Sequence, residues 1–301
     1  MCSTLGQGAI RRDEALVAAG RELSNELPES LRSRFAAFVD NPPPSGSMLI
    51  RGLPIGDLPP TPTEPRATTT KSDETELRLL TFAALLGEPV GYLPEQSGDV
   101  VQNILPVPSA ATSQTSSSSS VDLMFHTEAA FHPHRPQHLL LFCLRGDPTA
   151  RTTIASIFAA LPYLDPDVLE VLFQPRFRCA VDESYLHGRP NVLGPVMPVL
   201  TGSAANPRMV FDEDLMVGID EEADEALADL GTVLMEHRNG IVLEPGDLLV
   251  IDNSIAVHGR SPFRARFDGT DRWLQRAAVI PDLEMVGAER TGRVITTHFG
   301  G

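Results

Sequence analysis

The stretch Phe125–Pro136 reads FHTEAAFHPHRP, three histidines and a glutamate within twelve residues, and His138 follows two positions later. A helical zinc-protease site needs His-Glu-x-x-His, with the two histidines on one helix face. The order here is His-x-Glu, which fails that template. On a strand, residues i and i+2 point to the same side. His126 and Glu128 are then expected to share a face, with Thr127 on the other. One imidazole and one carboxylate make two ligands. A further neutral histidine would complete a two-histidine, one-carboxylate triad, which leaves coordination positions open. The candidates for it are His132, His134, His138, His187, His237, His258 and His298. His132 is near in sequence, but His132 and His134 sit beside prolines and read as loop residues at the mouth of a site. His258 ends the apolar run LLVIDNSIAVH, where a rigid scaffold would present a ligand.

Downstream of His258, Arg272 and Arg276 flank Trp273, Leu274 and Gln275. On a strand these arginines face the same way. They form either a buried double clamp for carboxylates or an exposed pair on an edge strand. The apolar neighbours WL and AAVI favour burial.

The remaining chain reads as short strands with a few flanking helices, a β-sandwich or barrel rather than a doubly wound parallel sheet. Residues 12–39 carry a helical pattern broken at Pro28. Residues 74–87 and 220–239 are helical, the latter with Ala223, Leu227, Leu230 and Leu234 on one face. Residues 59–70 form a Pro/Thr loop. SAATSQTSSSSS (109–120) fits a low-complexity linker equally well as an ordered loop at the mouth of a site. The 301 residues are 42% apolar and 21% charged, as in a soluble globular protein. A formal charge of −16 disfavours nucleic acid and anionic membranes as partners. No apolar run approaches the roughly 18 residues of a membrane span. Three scattered cysteines, Cys2, Cys143 and Cys179, fit a reducing cytoplasmic setting. Oligomeric state is not legible.

Taken together, HTE (126–128), VIDNSIAVHGRSPF (250–263) and DGTDRWLQR (268–276) resemble the iron(II)/2-oxoglutarate oxygenases similar to clavaminate synthase. That group includes hydroxylases of free arginine, asparagine and lysine. LPPTPT (58–63), SQTSSSSSVDLMFHTEAAFHPHRP (113–136), CLRGDP (143–148), VDESYL (181–186) and VFDEDLMVGI (210–219) resemble its bacterial lysine-hydroxylase branch. The resemblance runs from about residue 46 onward. It implies a mainly β protein with flanking helices (α+β), its core a distorted double-stranded β-helix, or jelly roll. It implies one oxygenase domain over 1–301, with a helical extension at 1–45 and a lid or insert at about 185–240.

By position, the resemblance assigns His126, Glu128 and His258 to Fe(II), and Arg272 to the 5-carboxylate of the cosubstrate 2-oxoglutarate, with Thr152 assisting. It assigns Arg276 to the α-carboxylate of an amino acid, and Glu128, Gln102 and Ser116 to its α-amine or neighbouring backbone groups. It makes the serine-rich stretch a site-lining loop and O2 the oxidant. A glutamate at 128, where halogenation would need a vacant position, points to hydroxylation.

Asp212 and Asp214, on a segment read as extended, would face together and suit an ammonium or guanidinium. The expected substrate is a free basic amino acid, lysine before arginine or ornithine, hydroxylated at the β or γ carbon. The alternatives are a neutral or carrier-bound amino acid, or desaturation or cyclisation. A zinc hydrolase would not need the two arginines, and an inactive jelly roll would lack the triad or Arg272.

Overall fold

The computed structural model describes residues 7–67, 72–186 and 188–299. His187, one of the candidate ligands, and Cys2 lie outside the described residues. The chain opens with two helices, α1 (Gln7–Glu26) and α2 (Glu29–Asp40), divided at Pro28 as the sequence predicts. Strand β1 (Ser47–Ile50) and helix α3 (Asp73–Ala83) follow. Ser72 caps α3, and Asp73, Glu74 and Glu76 fill its first turn, where the helix dipole favours negative charge. Next come β2 (Glu88–Tyr92), β3 (Val101–Ile104), β4 (Leu123–His126), β5 (His138–Arg145) and β6 (Arg151–Ser156). Then α4 (Ile157–Ala160), α5 (Pro166–Leu172), β7 (Phe177–Cys179), α6 (Glu183–Leu186), β8 (Leu200–Ser203), β9 (Asn206–Met209) and β10 (Met216–Gly218) form a mixed region. Helix α7 (Glu221–Glu236) is capped by Asp220 and buries Ala223, Leu227, Leu230 and Leu234, the face its periodicity marks. The chain closes with β11 (Asn239–Val242), β12 (Leu248–Asp252), β13 (Ala256–Arg260), β14 (Trp273–Ile280), β15 (Arg290–Thr291) and β16 (Val294–Ile295).

Two sheets face one another. The larger runs β1-β12-β5-β14-β2-β16-β15, with β3 also paired to β14; the smaller runs β11-β6-β13-β4. Neighbours are antiparallel except β16 beside β2. Leu139, Leu141, Leu249, Ile251 and Leu274 from the larger sheet meet Ile154 and Ala256 from the smaller in a shared core. On the larger sheet's outer face, Val17, Phe35, Phe38 and Leu79 of the first three helices cover Leu140, Phe142, Val250 and Trp273. Outside the smaller sheet, α4, α5 and α7 cover Phe125, Ala155 and Val257. This is a double-stranded β-helix with helices outside both sheets. No helix among the described residues is long and apolar enough to cross a membrane.

Three local expectations are corrected. The apolar run before His258 is two strands, not one: β12 lies in the larger sheet and β13 in the smaller, and the turn at Asn253 carries the chain between them. The strand through His126 stops there, so Glu128 sits in the turn that follows, next to Ala129 with φ +52°. His132 is not at the mouth but only 1% exposed, packed against Tyr92, Phe131, Tyr185 and Phe299. Burial first, then His134 and Arg135, pull its pKa to about 3, so it is a neutral core imidazole.

Asn253 holds this region together. Its Oδ1 accepts from Glu128 N at 2.8 Å, and its Nδ2 donates to Glu128 O at 3.1 Å and Pro136 O at 2.8 Å. All of these groups are buried. Asn253→Ala strips partners from an N–H and two carbonyls, and is expected to cost about 2–4 kcal/mol in chemical unfolding. A loss below about 0.5 kcal/mol would mean that the turn is held by something else.

Candidate active site

His126 and His258 are direct partners across the β4–β13 ladder, with ring centroids 4.3 Å apart. His126 Nδ1 faces Met124 O at 2.9 Å, which fixes the ring through that nitrogen and leaves Nε2 for another bond. Glu128 reaches the same point from its turn, its Oε2 3.5 Å from His258 Nε2. Each of the three residues offers one ligand atom, and these atoms lie within 4.8 Å of one another. Glu128 Oε2 is buried and has no hydrogen-bond partner among the described residues. An orphaned carboxylate oxygen converging with two imidazoles fits a divalent metal of the iron(II) type.

The charge states suit that use. Burial, then the adjacent His126, draw His258 down to about 4 against the pull of Glu128, so the ring is neutral near pH 7 and its lone pair is free. Burial alone would raise the Glu128 carboxyl; Arg276 and the two histidines outweigh it and hold the group well below the usual carboxylate range.

Behind the histidines lies a narrow recess lined by Thr152, His258, Arg260, Arg272, Leu274 and Arg276, among others. Leu274 and Arg276 of β14 and Arg272 just before it all reach this face, while Trp273 points to the outer core. Arg272 is 6% exposed and donates to Thr152 Oγ1 at 3.2 Å. It has no ion pair among the described residues, and burial lowers its pKa. A buried guanidinium with a hydroxyl beside it and no counter-ion among the described residues suits a carboxylate.

Arg260 is a neighbour that the sequence reading missed. It lies two residues beyond His258 on β13, opposite Thr152 on β6. Burial and then Arg272 lower its pKa to about 10. It donates to Ser118 O at 2.8 Å and Ser118 Oγ at 2.9 Å, tying the serine-rich stretch to the metal-side strand. That stretch is therefore an ordered loop. Ser113, Gln114, Thr115, Ser116 and Ser117 line the main cavity, while Ser118 and Ser119 are buried beneath it.

The main cavity, about 900 Å3, opens in front of His126 and Glu128. Arg276 stands at its inner end. Its Nη1 donates to Glu128 Oε1 at 2.7 Å, its Nε to Gln102 Oε1 at 2.9 Å, and its Nη2 to Glu95. Burial works against this charge, but Glu128 and Glu95 outweigh it and hold the proton more tightly than usual. Gln102 thus contacts Arg276 directly. Glu95, which the sequence reading also missed, accepts from Tyr185 Oη at 2.7 Å as well.

Asp212 and Asp214 both line the cavity, but not by strand alternation. The segment is a tight turn in which Asp212 Oδ1 accepts from Asp214 N at 3.0 Å and Leu215 N at 2.9 Å. A short polar side chain bonding the backbone ahead of it wins over extension here. Asp212 is buried, bridged to His126, and Asp214 is exposed.

Comparison with known proteins agrees with this geometry. A model of the family described as taurine catabolism dioxygenase TauD, TfdA family matches residues 45–278. The chain is 38% identical over 293 residues to the L-asparagine oxygenase of Streptomyces coelicolor, covering 94% of this chain and 86% of that protein. It is 39% identical over 290 residues to the L-lysine 3-hydroxylase of Catenulispora acidiphila, covering 91% and 78%. Among solved structures, asparagine oxygenase in complex with Fe(II), 2S,3S-3-hydroxyasparagine and succinate superposes with a TM-score of 0.86 at 34% identity, over 97% of this chain and 98% of that one. The non-heme iron oxygenase OrfP with Fe and alpha-ketoglutaric acid gives 0.85 at 34% identity, over 94% and 91%. The chain belongs to the TauD, TfdA family of dioxygenases, as a 2-oxoglutarate-dependent, iron-using member.

Proposed function

We propose that this enzyme hydroxylates a free L-amino acid with a basic side chain, lysine before arginine or ornithine, at the β or γ carbon. The observation that carries the substrate class is the charge of the main cavity. Glu95, Glu128, Asp182, Glu183, Asp212 and Asp214 line it, and Arg276 is the one Lys or Arg among its described lining residues. Arg276 is already engaged with Glu95 and Glu128. Four further carboxylates therefore face the cavity without an ion pair among the described residues, a setting that attracts an ammonium or guanidinium group.

In this reading His126, Glu128 and His258 hold iron(II). Arg272 pairs with the distal carboxylate of 2-oxoglutarate, and Thr152 orients that arginine. Iron(II) and 2-oxoglutarate, when bound, supply the oxidising chemistry by which O2 is consumed, succinate and CO2 are released and one oxygen enters a substrate C–H bond. The protein residues do the rest. Arg276 receives the α-carboxylate, and Gln102, Ser116 and Glu128 offer acceptors to the α-amine. Because Arg276 lies 2.7 Å from Glu128, the near end of the amino acid is held beside the metal. The β and γ carbons then come within its reach, and the side chain points toward Asp212 and Asp214. The sandwich core and the loop tied by Arg260 keep bulk water from the recess. Within the segment at about 185–240 that we assign as lid of the single domain, the end of α6 and the acidic turn face the cavity, while α7 packs outside the smaller sheet.

A second reading, L-asparagine as substrate, is favoured by an identity to asparagine oxygenase that nearly equals the identity to lysine hydroxylase.

The decisive assay reconstitutes the enzyme anaerobically with Fe(II) and 2-oxoglutarate, then adds O2 with L-lysine, L-arginine, L-ornithine or L-asparagine. Succinate and a product heavier by one oxygen are expected with a basic amino acid. Turnover with L-asparagine alone would discard the basic class, and turnover with none would move a carrier-bound substrate forward. Asp214→Asn is expected to raise the KM for the basic substrate about tenfold by removing a charge-assisted contact, while the KM for 2-oxoglutarate stays put. Arg272→Lys keeps the charge but loses the planar fork, and should raise the KM for 2-oxoglutarate by about tenfold or more.

A further inference from the structure

Strand β4 is the last strand of the smaller sheet, and its outer edge is met by the chain that enters the acidic turn. His126 bridges Asp212 there in antiparallel fashion. Thr127 N donates to Phe211 O at 2.7 Å, and Glu213 N donates to Phe125 O at 3.0 Å. In a continuing ladder, Phe211 and Phe125 would give their own N–H groups to the carbonyls of Thr127 and Glu213. Here those N–H groups go to side chains instead. Phe211 N donates to Thr127 Oγ1 at 3.1 Å, and Phe125 N donates to Glu213 Oε2 at 3.2 Å. The pairing is one bridge long, closed on each side by a side chain standing in for a backbone carbonyl. Beyond it both segments turn away: β4 ends at His126, and Asp212 Oδ1 curls its own chain through the N–H groups of Asp214 and Leu215. Without the two side chains, the N–H groups of two buried residues, Phe125 and Phe211, would lose their acceptors, and a single bridge would be left to set the register.

We propose that Thr127 and Glu213 are positioning residues that lock the acidic turn in register with the His126 strand, and that this register sets which carbon of the substrate side chain comes to the metal. The inference rests on the reading of Asp212 and Asp214 as partners of the side-chain cation. An amino acid held at Arg276 by its α-carboxylate, and at the turn by its far end, has its middle carbons placed by the span between the two. Arg276 is referenced to the metal side through Glu128. The turn is referenced to it through the bridge of Asp212 to His126, and the two side chains fix that bridge. Neither of them offers the substrate a contact of its own. Thr127 Oγ1 is engaged by Phe211 N, and Glu213 lies on the other side of the turn, against Phe211, Met216 and α7, outside the lining of the main cavity.

The test uses the Fe(II)-loaded enzyme as wild type, Thr127→Val and Glu213→Ala, beside Thr127→Ser and Glu213→Gln, which keep an acceptor oxygen. Before O2 or any amino acid is added, amide hydrogen exchange at Asp214 and Leu215 should rise at least about tenfold in Thr127→Val and Glu213→Ala, and stay near wild type in the conservative pair. With 2-oxoglutarate, O2 and whichever basic amino acid wild type turns over, the ratio of β- to γ-hydroxylated product should shift at least about fivefold in Thr127→Val and Glu213→Ala, with the KM for 2-oxoglutarate within about threefold. Unchanged exchange in both variants would overturn the lock. Faster exchange with an unchanged product ratio would overturn its part in choosing the carbon, and so would an equal shift in the conservative pair. Glu213 is exposed, so Glu213→Ala keeps the test decisive if Thr127→Val does not fold. If wild type turns over none of L-lysine, L-arginine and L-ornithine, the reading of the acidic turn fails, and the exchange measurement still decides the lock.

Discussion

Glu128 is the constraint on which the site turns. One of its oxygens faces two imidazoles and the other accepts from a buried guanidinium. Removing either partner from such a pair would leave an uncompensated charge in the interior, a penalty of about 3–5 kcal/mol. The carboxylate is therefore shared, and the sharing joins two chemistries. What would hold the metal also holds the residue that would grip the substrate. The backbone of Glu128 is fixed just as firmly, by both ends of the Asn253 amide. That asparagine lies in the turn leading into the strand of His258, so the two more distant ligands are referenced to one short piece of chain.

The two sheets divide the labour. The smaller carries His126 and His258 as cross-strand neighbours, with Thr152 and Arg260 one ladder step away. The larger contributes Leu274 and Arg276 of β14, with Arg272 at the entry to that strand. Neither sheet alone makes a recess. Facing each other, they enclose charged side chains that could not remain unpaired in a solid apolar core. The helices packed outside bear no part of the chemistry; they cover the outer faces so that the inner ones can be polar.

Much of this was legible in the sequence where chemistry and local period agree. The alternation Arg272–Leu274–Arg276 predicted a shared inward face, and the structure has it. The helical face of Ala223, Leu227, Leu230 and Leu234 was equally plain. His-x-Glu brought the right pair together for an incomplete reason. Period-two alternation assumes that the strand continues, whereas it ends at His126 and a turn carries Glu128 round. The acidic pair at 212 and 214 failed likewise, because Asp212 bonds the backbone ahead of it and curls a segment read as extended. Glu95 was beyond reach. It sits in a left-handed turn 181 positions from Arg276, and nothing in PEQSG marks it as a partner. Arg260, by contrast, carried a usable signal: it lies two residues from a proposed ligand on the same strand.

The distribution of charge gives the cleft a polarity. At one end Arg272 and Arg260 stand close together without a carboxylate between them. At the other, carboxylates outnumber cations. A dianion placed in the acidic half would meet repulsion, as would a diamine in the basic half. Two small, flexible molecules that share an α-carboxylate end, and are close in length, can thus be told apart by which half repels them. With the basic substrate proposed above, the cleft would sort its two guests before any shape-specific contact is made, and the field that draws in the correct occupant would repel a mistaken one.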